Sequence, residues 1–383
     1  MDSHSLRKFF ESGERSHVLL NPRRPATEKA WVQKAQLPNL PEHIWISSSG
    51  TTSVEEIKLI GLSRTAFLAA AQGANEFMRV TASDVWLNVL PHFHVGGLAI
   101  FARSYLSKSK VVDISVQSNG ELFKWNPEAV ISEINQQGVT LLSLVPTQVY
   151  DLVRAGVRAP ASLRLVLVGG GALQDSLYRE ARALGWPLLP TYGMSELCSQ
   201  VATVPLDSLA SVLPAVPAAL LLPHIQARVS GGRLEIKSPA LFSAYVYASA
   251  SGSRVEDPKK DGWFLTSDFV ELEGRELRFK GRTQDQIKVG GEIVNLSRLQ
   301  TLFQTLIQDT RLVVLAEADA RLESRVVIVF EGIASGLAEK YVETLNKNIA
   351  PYERIQGLYI VDHLPRTDLG KIKTAELKKQ LGL

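Results

Sequence analysis

One cysteine, Cys198, is all that this 383-residue chain contains. No internal disulfide framework can staple it, and a reducing cytoplasm is the expected compartment. Long apolar runs are missing too. Nowhere do about 18 consecutive apolar residues occur, so no membrane span is expected. The nearest approach, Leu213 to Pro223, is short and broken by prolines. Met1 to Arg24 lacks the continuous apolar region of a signal peptide. Excess charge is absent as well. Lys and Arg number 42 against 39 Asp and Glu, and the net charge of +3 gives no reason to expect nucleic-acid binding. The G-x-x-x-x-G-K-[ST] pattern is nowhere present, which sets the P-loop NTPases aside. Gly169-Gly170-Gly171-Ala172 lacks the G-x-G-x-x-G spacing of a dinucleotide fingerprint; close backbone approach of Gly170 and Gly171 to a base is a better use. His92 and His94 have no carboxylate or cysteine near them in sequence, so pocket lining or packing suits them better than a metal site.

What is present is an ordinary soluble composition, 45% hydrophobic and 21% charged, in a chain long enough for two or three domains. Ser63 caps a helix running to Met78, and Asn126 caps another that Gly138 closes. Val139–Val145 and Leu163–Val168 read as buried strands, with a helix over Thr147–Ala155 between them and another after Gly171. Such alternation predicts an α/β fold with largely parallel pairing. After about Leu220 the texture becomes β-rich. Hairpins are expected around Gly231-Gly232 and around Gly274. Beyond Gly281 come a helix capped by Asn295, strands at Leu312–Leu315 and Val326–Phe330, a helix near Leu337–Leu345 and a strand at Leu358–Val361. The expected organisation is a large domain over 1–282, β-rich over about 220–280, and a small α+β domain over 283–383.

Short loops carry the chemistry. Ser47-Ser48-Ser49-Gly50-Thr51-Thr52 can offer hydroxyls and N–H groups to phosphate oxygens, with Gly50 letting the backbone approach; a polar surface turn is the plain alternative. In Tyr192-Gly193-Met194-Ser195-Glu196 the tyrosine suits stacking on a flat base. Ser195 can reach a phosphate, and Glu196 offers Mg²⁺ a hard oxygen. Asp268 could accept from both hydroxyls of a ribose, though alone it reads as an exposed loop acid. Lys371 stands between Pro365 and the basic C-terminal run, where a solvated lysine is the ordinary expectation.

Together and in this order, the segments resemble the adenylate-forming superfamily of acyl-CoA synthetases, from about Ser47 to Lys373. The resemblance implies that Ser49, Gly50, Thr51 and Thr52 bind ATP phosphates. Tyr192 and Gly193, with Gly170 and Gly171, meet the adenine, and Ser195 and Glu196 serve phosphate and magnesium. Asp268 and Arg282 take the ribose, and Lys371 is the lysine of adenylation. Leu90 to Gly97 resembles the segment lining the acyl pocket and places His94 among the catalytic residues. Val289-Gly290-Gly291 lies where a pantetheine tunnel needs small residues, with Gly290 and Gly291 at CoA. The implied fold is a large N-terminal α/β domain plus a mobile C-terminal domain turning about Gln284.

Ser143–Gln148 and Leu167–Ala172 look most like the o-succinylbenzoate–CoA ligases of menaquinone synthesis. The implied substrates are a small carboxylic acid, ATP and CoA, with Mg²⁺ as cofactor. Two departures stand out. The family's Gly-x-Pro-Lys is replaced by Ser53-Val54-Glu55-Glu56-Ile57-Lys58, which makes Lys58 a displaced form of the family lysine. The phosphate loop also lies near residue 50, so the N-terminal subdomain is short, and a homo-oligomer is one way to stabilise it. Two other readings stay open: adenylation with another acid or a carrier-protein acceptor, and a non-catalytic nucleotide-binding homologue. o-Succinylbenzoate carries a second carboxylate, and Arg103, Arg154, His92 and His94 are the candidates to meet it.

Overall fold

The computed structural model describes residues 2–13, 15–47, 56–116, 121–210, 215–289, 292–319, 321–368 and 370–383. The chain forms two compact units. The first comprises Met1–Arg228, Glu235–Leu265 and Glu273–Leu277; the second comprises Val229–Leu234, Thr266–Leu272 and Arg278–Leu383.

The first unit opens with α1 (Ser3–Ser12), β1 (His17–Leu19), α2 (Ala26–Lys34), β2 (His43–Ser47), β3 (Glu56–Ser63) and α3 (Arg64–Met78). It continues through β4 (Val85–Asn88), α4 (Val95–Ser107), β5 (Lys110–Asp113), α5 (Pro127–Gln137), β6 (Leu141–Leu144) and α6 (Pro146–Arg154). Next come β7 (Leu165–Val168), α7 (Asp175–Ala183), β8 (Leu188–Met194), β9 (Ser199–Thr203) and β10 (Ala219–Leu221). The segment after them holds β11 (Gln226–Ser230), β12 (Arg233–Lys237), β13 (Tyr245–Ser249), β14 (Gly252–Glu256), β15 (Phe264–Glu273) and β16 (Glu276–Arg282).

Strands β8, β7, β6, β4 and β5 lie side by side in that order and are all parallel. Every residue of β6 and β7 is buried, as expected where helices cover both faces of a parallel sheet. The helices begin where capping chemistry allows. Ser63 Oγ accepts from Ala66 N at 3.0 Å, and Asn126 Oδ1 accepts from Ala129 N at 3.1 Å ahead of Pro127. The strand expected over Val139–Val145 spans Leu141–Leu144, and at its end Val145 serves as the cap residue before Pro146, which starts α6. A second sheet, in the order β1-β2-β3-β13-β14, pairs β3 with a strand almost two hundred positions later.

The short N-terminal segment is docked. Leu6, Phe9 and Phe10 of α1 are buried, Phe10 meets Phe67 edge-on at 5.6 Å, and Arg64 donates to the Phe10 carbonyl at 2.7 and 3.0 Å. Each fully buried side chain of this size contributes about 1.5–3 kcal/mol.

The second unit adds β17 (Gln286–Val289), β18 (Glu292–Asn295), α8 (Leu296–Ile307), β19 (Leu312–Asp319), β20 (Glu323–Glu331), α9 (Ser335–Asn346), β21 (Ile355–Val361) and α10 (Thr374–Leu381). Its sheet runs β18-β17-β20-β19, with β21 parallel beside β20. Leu299 and Phe303 of α8 and Ala338 and Leu345 of α9 pack with Leu312, Val314, Ile328 and Phe330. The alternate residues Val313, Leu315, Val327 and Val329 pack with Leu377 of α10. Because both faces are covered, β19 and β20 read as continuous apolar runs.

Candidate active site

Adjacent parallel strands place their carboxyl ends along one edge, and the singled-out loops of the first unit follow those ends. Leu90–Gly97 follows β4, Gly169–Gly171 follows β7, and Tyr192–Glu196 closes β8. Gly170 has φ +81 and, like Gly171, is exposed, so its backbone can be approached from outside. The helix expected straight after Gly171 begins only at Asp175, leaving an exposed loop at the strand end.

Glu196 occupies a tight 3₁₀ turn, Ser195–Leu197, that the neighbouring chain pins from two sides. Phe242 N donates to the Glu196 carbonyl at 2.8 Å, and the Cys198 thiol lies 3.6 Å from the Ala240 carbonyl. Burial raises the Cys198 thiol well above its ordinary pKa, so it is an inert small apolar residue. Gly193 is the other requirement of this corner. A Cβ there would stand 2.0 Å from the Ser199 carbonyl oxygen on β9. Backbone cannot yield as a side-chain tip can, so Gly193→Ala should cost about 1–3 kcal/mol and displace Glu196. A lowered melting temperature together with weakened nucleotide binding would be the measured result.

The Glu196 carboxylate is engaged. Tyr245 on β13 donates its hydroxyl to Oε1 at 2.9 Å, and the Lys58 ammonium on β3 stands 3.7 Å from the same oxygen. Burial, opposed by the Glu196 charge, lowers the Lys58 pKa; burial and then the Glu196 charge raise that of Tyr245. Glu56 is turned to Arg254 on β14 at 3.2 Å. Among the described residues no three His, Cys, Asp or Glu side chains gather into a metal cage. A lone carboxylate still fits Mg²⁺, which retains waters and draws further ligands from phosphate oxygens.

The two histidines separate. His92 is buried, with Nε2 2.8 Å from Asp113 Oδ2 and 2.9 Å from Ser115 Oγ. Burial pushes the Asp113 carboxyl up, but the His92 hydrogen bond and charge outweigh it and bring it to about 2. His92 is thus a packing and hydrogen-bonding residue. His94 is half-buried at the start of α4, its ring 4.7 Å from that of Phe93.

Arg103 lies further along α4, about two and a half turns from His94, 2% exposed, with its guanidinium 5.7 Å over the Trp86 ring. It donates to Ser199 Oγ at 3.2 Å, while its Nε has no partner among the described residues. Burial lowers it to about 10, which still leaves it charged at neutral pH. His224 sits near it, in the space that Gly73 leaves: a Cβ on Gly73 would meet His224 Nδ1 at 2.0 Å. Neither ring nitrogen of His224 has a partner among the described residues. Burial, and then the Arg103 charge, lower its pKa to about 4. Arg154, by contrast, is exposed and pairs with Glu180 at 2.5 Å.

The second unit holds the other cluster. Asp268 is buried within β15, not on an exposed loop, and Arg282 at the end of β16 donates Nε to its Oδ1 at 2.9 Å. Lys371 follows a tight turn in which Thr367 N donates to the Lys371 carbonyl at 2.7 Å and Lys371 N donates to Thr367 Oγ1 at 3.1 Å. Its side chain reaches solvent, yet burial and then the Arg282 charge lower its pKa, with Asp268 opposing. Ser49, Gly50, Thr51, Thr52, Gly290 and Gly291 lie outside the described residues.

Lys58 carried a family expectation only, and Tyr245 and His224 carried none. Their partners are remote in sequence, and no local spacing marks them.

The model of the AMP-binding enzyme family matches residues 18–246. The chain belongs to the AMP-binding enzyme family. Among relatives of this AMP-binding enzyme, 2-succinylbenzoate–CoA ligase of Lactococcus lactis is 27% identical over 355 residues, covering 90% of this chain and 72% of the relative. Indoleacetate–CoA ligase of Aromatoleum aromaticum is 28% identical over 351 residues, covering 87% and 66%. Acid–thiol ligation is the enzyme class shared with them. Similar solved structures include an Escherichia coli MenE variant with bound OSB-AMS, at TM-score 0.76 and 20% identity, covering 98% of this chain and 90% of that one. Bacillus subtilis MenE in complex with ATP and magnesium gives 0.74 and 21%, covering 99% and 82%. The fold is that of the adenylate-forming enzymes.

Proposed function

We infer that this AMP-binding enzyme is an acid–CoA ligase acting on an aromatic acid with a second carboxylate, in the manner of o-succinylbenzoate. The observation that carries the substrate reading is Arg103. It is a buried cation that, among the described residues, pairs with no carboxylate, whereas Arg154 and His92 are already satisfied. A buried charge without a counter-ion is expensive, and a substrate anion removes that cost. His224, neutral at pH 7, adds an N–H donor beside it.

In the first step the acid's carboxylate attacks the α-phosphorus of ATP, giving an acyl-adenylate and pyrophosphate. Tyr192, Gly170 and Gly171 meet the adenine, Asp268 and Arg282 the ribose hydroxyls, and Ser195 and the Ser49–Thr52 loop the phosphates. Glu196 would hold Mg²⁺, which supplies charge neutralisation at the phosphates. Lys371 lends its ammonium to the reacting oxygens, and His94 borders the acyl group. In the second step, residues 283–383 turn about Gln284 as a mobile domain and CoA enters past Gly290 and Gly291.

The test is a mass-spectrometric screen of acids with ATP and CoA. o-Succinylbenzoate and related dicarboxylates should give acyl-CoA, and Arg103→Met should cost them about 1–3 kcal/mol of kcat/KM, the range for an unpaired polar partner. Monocarboxylates should be nearly unaffected. A second reading is favoured by the 28% identity to an indoleacetate ligase: a monocarboxylic arylacetate as substrate. Acyl-CoA from arylacetates alone, with Arg103→Met neutral, would select it. Acyl-adenylate without acyl-CoA would point to another acceptor, and no pyrophosphate from any acid would leave a nucleotide-binding homologue.

A further inference from the structure

Lys58 and Glu196 face one another in the first unit, their side chains 15% and 17% exposed. The ammonium also lies 3.5 Å from the centroid of the Tyr245 ring, whose hydroxyl donates to the same Oε1 that the ammonium approaches. Among the described residues Glu196 has no other cation partner, and Lys58 has no other salt-bridge partner. Glu56, on the same face of β3 two residues earlier, is held by Arg254. Lys58 is therefore the cation at the head of this strand that faces the carboxylate assigned above to the metal.

We propose that Lys58 is a resident counter-ion for Glu196, which it yields to the divalent cation when the nucleotide's phosphates take over its ammonium. The proposal rests on the adenylating reading of Glu196. Its physical basis is mutual exclusion. A magnesium ion sits about 2.0–2.1 Å from a carboxylate oxygen, and an ammonium that close to the same oxygen repels it. A metal arriving alone must displace Lys58 and leave a half-buried ammonium without its anion. A metal arriving with a triphosphate brings the replacement anion with it. Lys58 has a flexible stem and a ring face under its head, so a short swing does not strand it. Binding of metal and of nucleotide at Glu196 then become coupled, and by linkage the coupling is reciprocal.

The experiment uses the full chain and Mn²⁺ as the probe, with free Mn²⁺ read by electron paramagnetic resonance in the absence of nucleotide. Lys58→Met keeps the stem and removes the charge. It should bind Mn²⁺ about tenfold more tightly than wild type, within the ordinary range of coupling between sites. Glu196→Gln should abolish that gain. Calorimetric titration with ATP in the presence of EDTA should show the opposite sign, with Lys58→Met about tenfold weaker.

An ion pair that the nucleotide does not take over predicts unchanged ATP affinity in Lys58→Met, because deleting the ammonium favours Mn²⁺ at Glu196 in either case. That result, with Glu196→Gln still lowering Mn²⁺ affinity in the wild-type background, overturns the exchange and leaves Glu196 as a metal ligand. Mn²⁺ affinity indifferent to Glu196→Gln in both backgrounds overturns the proposal and the assignment beneath it. Neither titration needs an acid or CoA, so failure of the substrate assignment would show separately, in the acid screen. Should Lys58→Met not fold, Lys58→Gln carries the same two titrations.

Discussion

Lys371→Ala is expected to slow acyl-adenylate formation about 10²–10³-fold, the range for losing one donor aimed at transition-state charge. Negative charge accumulates between the attacking carboxylate and the α-phosphate, and an ammonium held there acts on that state more than on the bound substrates. The side chain packs into no core: it reaches solvent, and the turn around it is held by backbone and Thr367 contacts. The melting temperature should therefore hardly move. The second half-reaction separates a local role from a domain movement. If residues 283–383 turn between steps, the variant should convert separately prepared acyl-adenylate and CoA at close to the wild-type rate. Equal losses in both halves would argue against the turn. No loss in either would make Lys371 a solvated tail residue.

The same lysine sets a pH expectation. Burial and the Arg282 charge favour its neutral form, so its pKa lies below that of an ordinary lysine. In the proposed role it is the ammonium that acts. Adenylation should thus fall as pH rises through that lowered value, earlier than an unperturbed lysine would allow. Thioester formation from acyl-adenylate should not share this alkaline limb.

How much was legible in the sequence follows from where the information is local. Caps such as Ser63, Asn126 and Asn295 bond within three residues of themselves, and each starts the helix expected of it. The order of the loops was legible because parallel strands deliver loop after loop to one sheet edge. Glu196 could be singled out as a carboxylate, but not what holds it. Tyr245 is 49 residues away on a strand of the second sheet, and only the pairing of β13 with β3 brings it and Lys58 together. Asp268 alone read as an exposed loop acid. Its burial depends on β15 starting at Phe264, ahead of the hairpin strand expected from Phe269. Arg103 could be listed beside Arg154, but helix periodicity cannot tell a cation over a buried indole from one in water.

Glu196→Gln should produce the other large effect, and its sign depends on what is measured. The substitution keeps the size and the hydrogen bond to Tyr245 but removes the charge that a hard dication needs. Adenylation should drop about 10²-fold or more at ordinary Mg²⁺ and recover in part as Mg²⁺ is raised, because phosphate oxygens still supply ligands. Stability should change as well. Lys58 loses its one salt-bridge partner among the described residues, leaving a half-buried charge with only the Tyr245 ring face against it. That costs about 1–2 kcal/mol, below the range for a fully buried pair because both groups retain some water. Adding Lys58→Met to Glu196→Gln should restore the melting temperature without restoring adenylation. Wild-type magnesium dependence in Glu196→Gln would remove the metal role. An unchanged melting temperature in the single variant would mean that water already screens the Lys58 charge, so that Glu196 matters to the reaction alone.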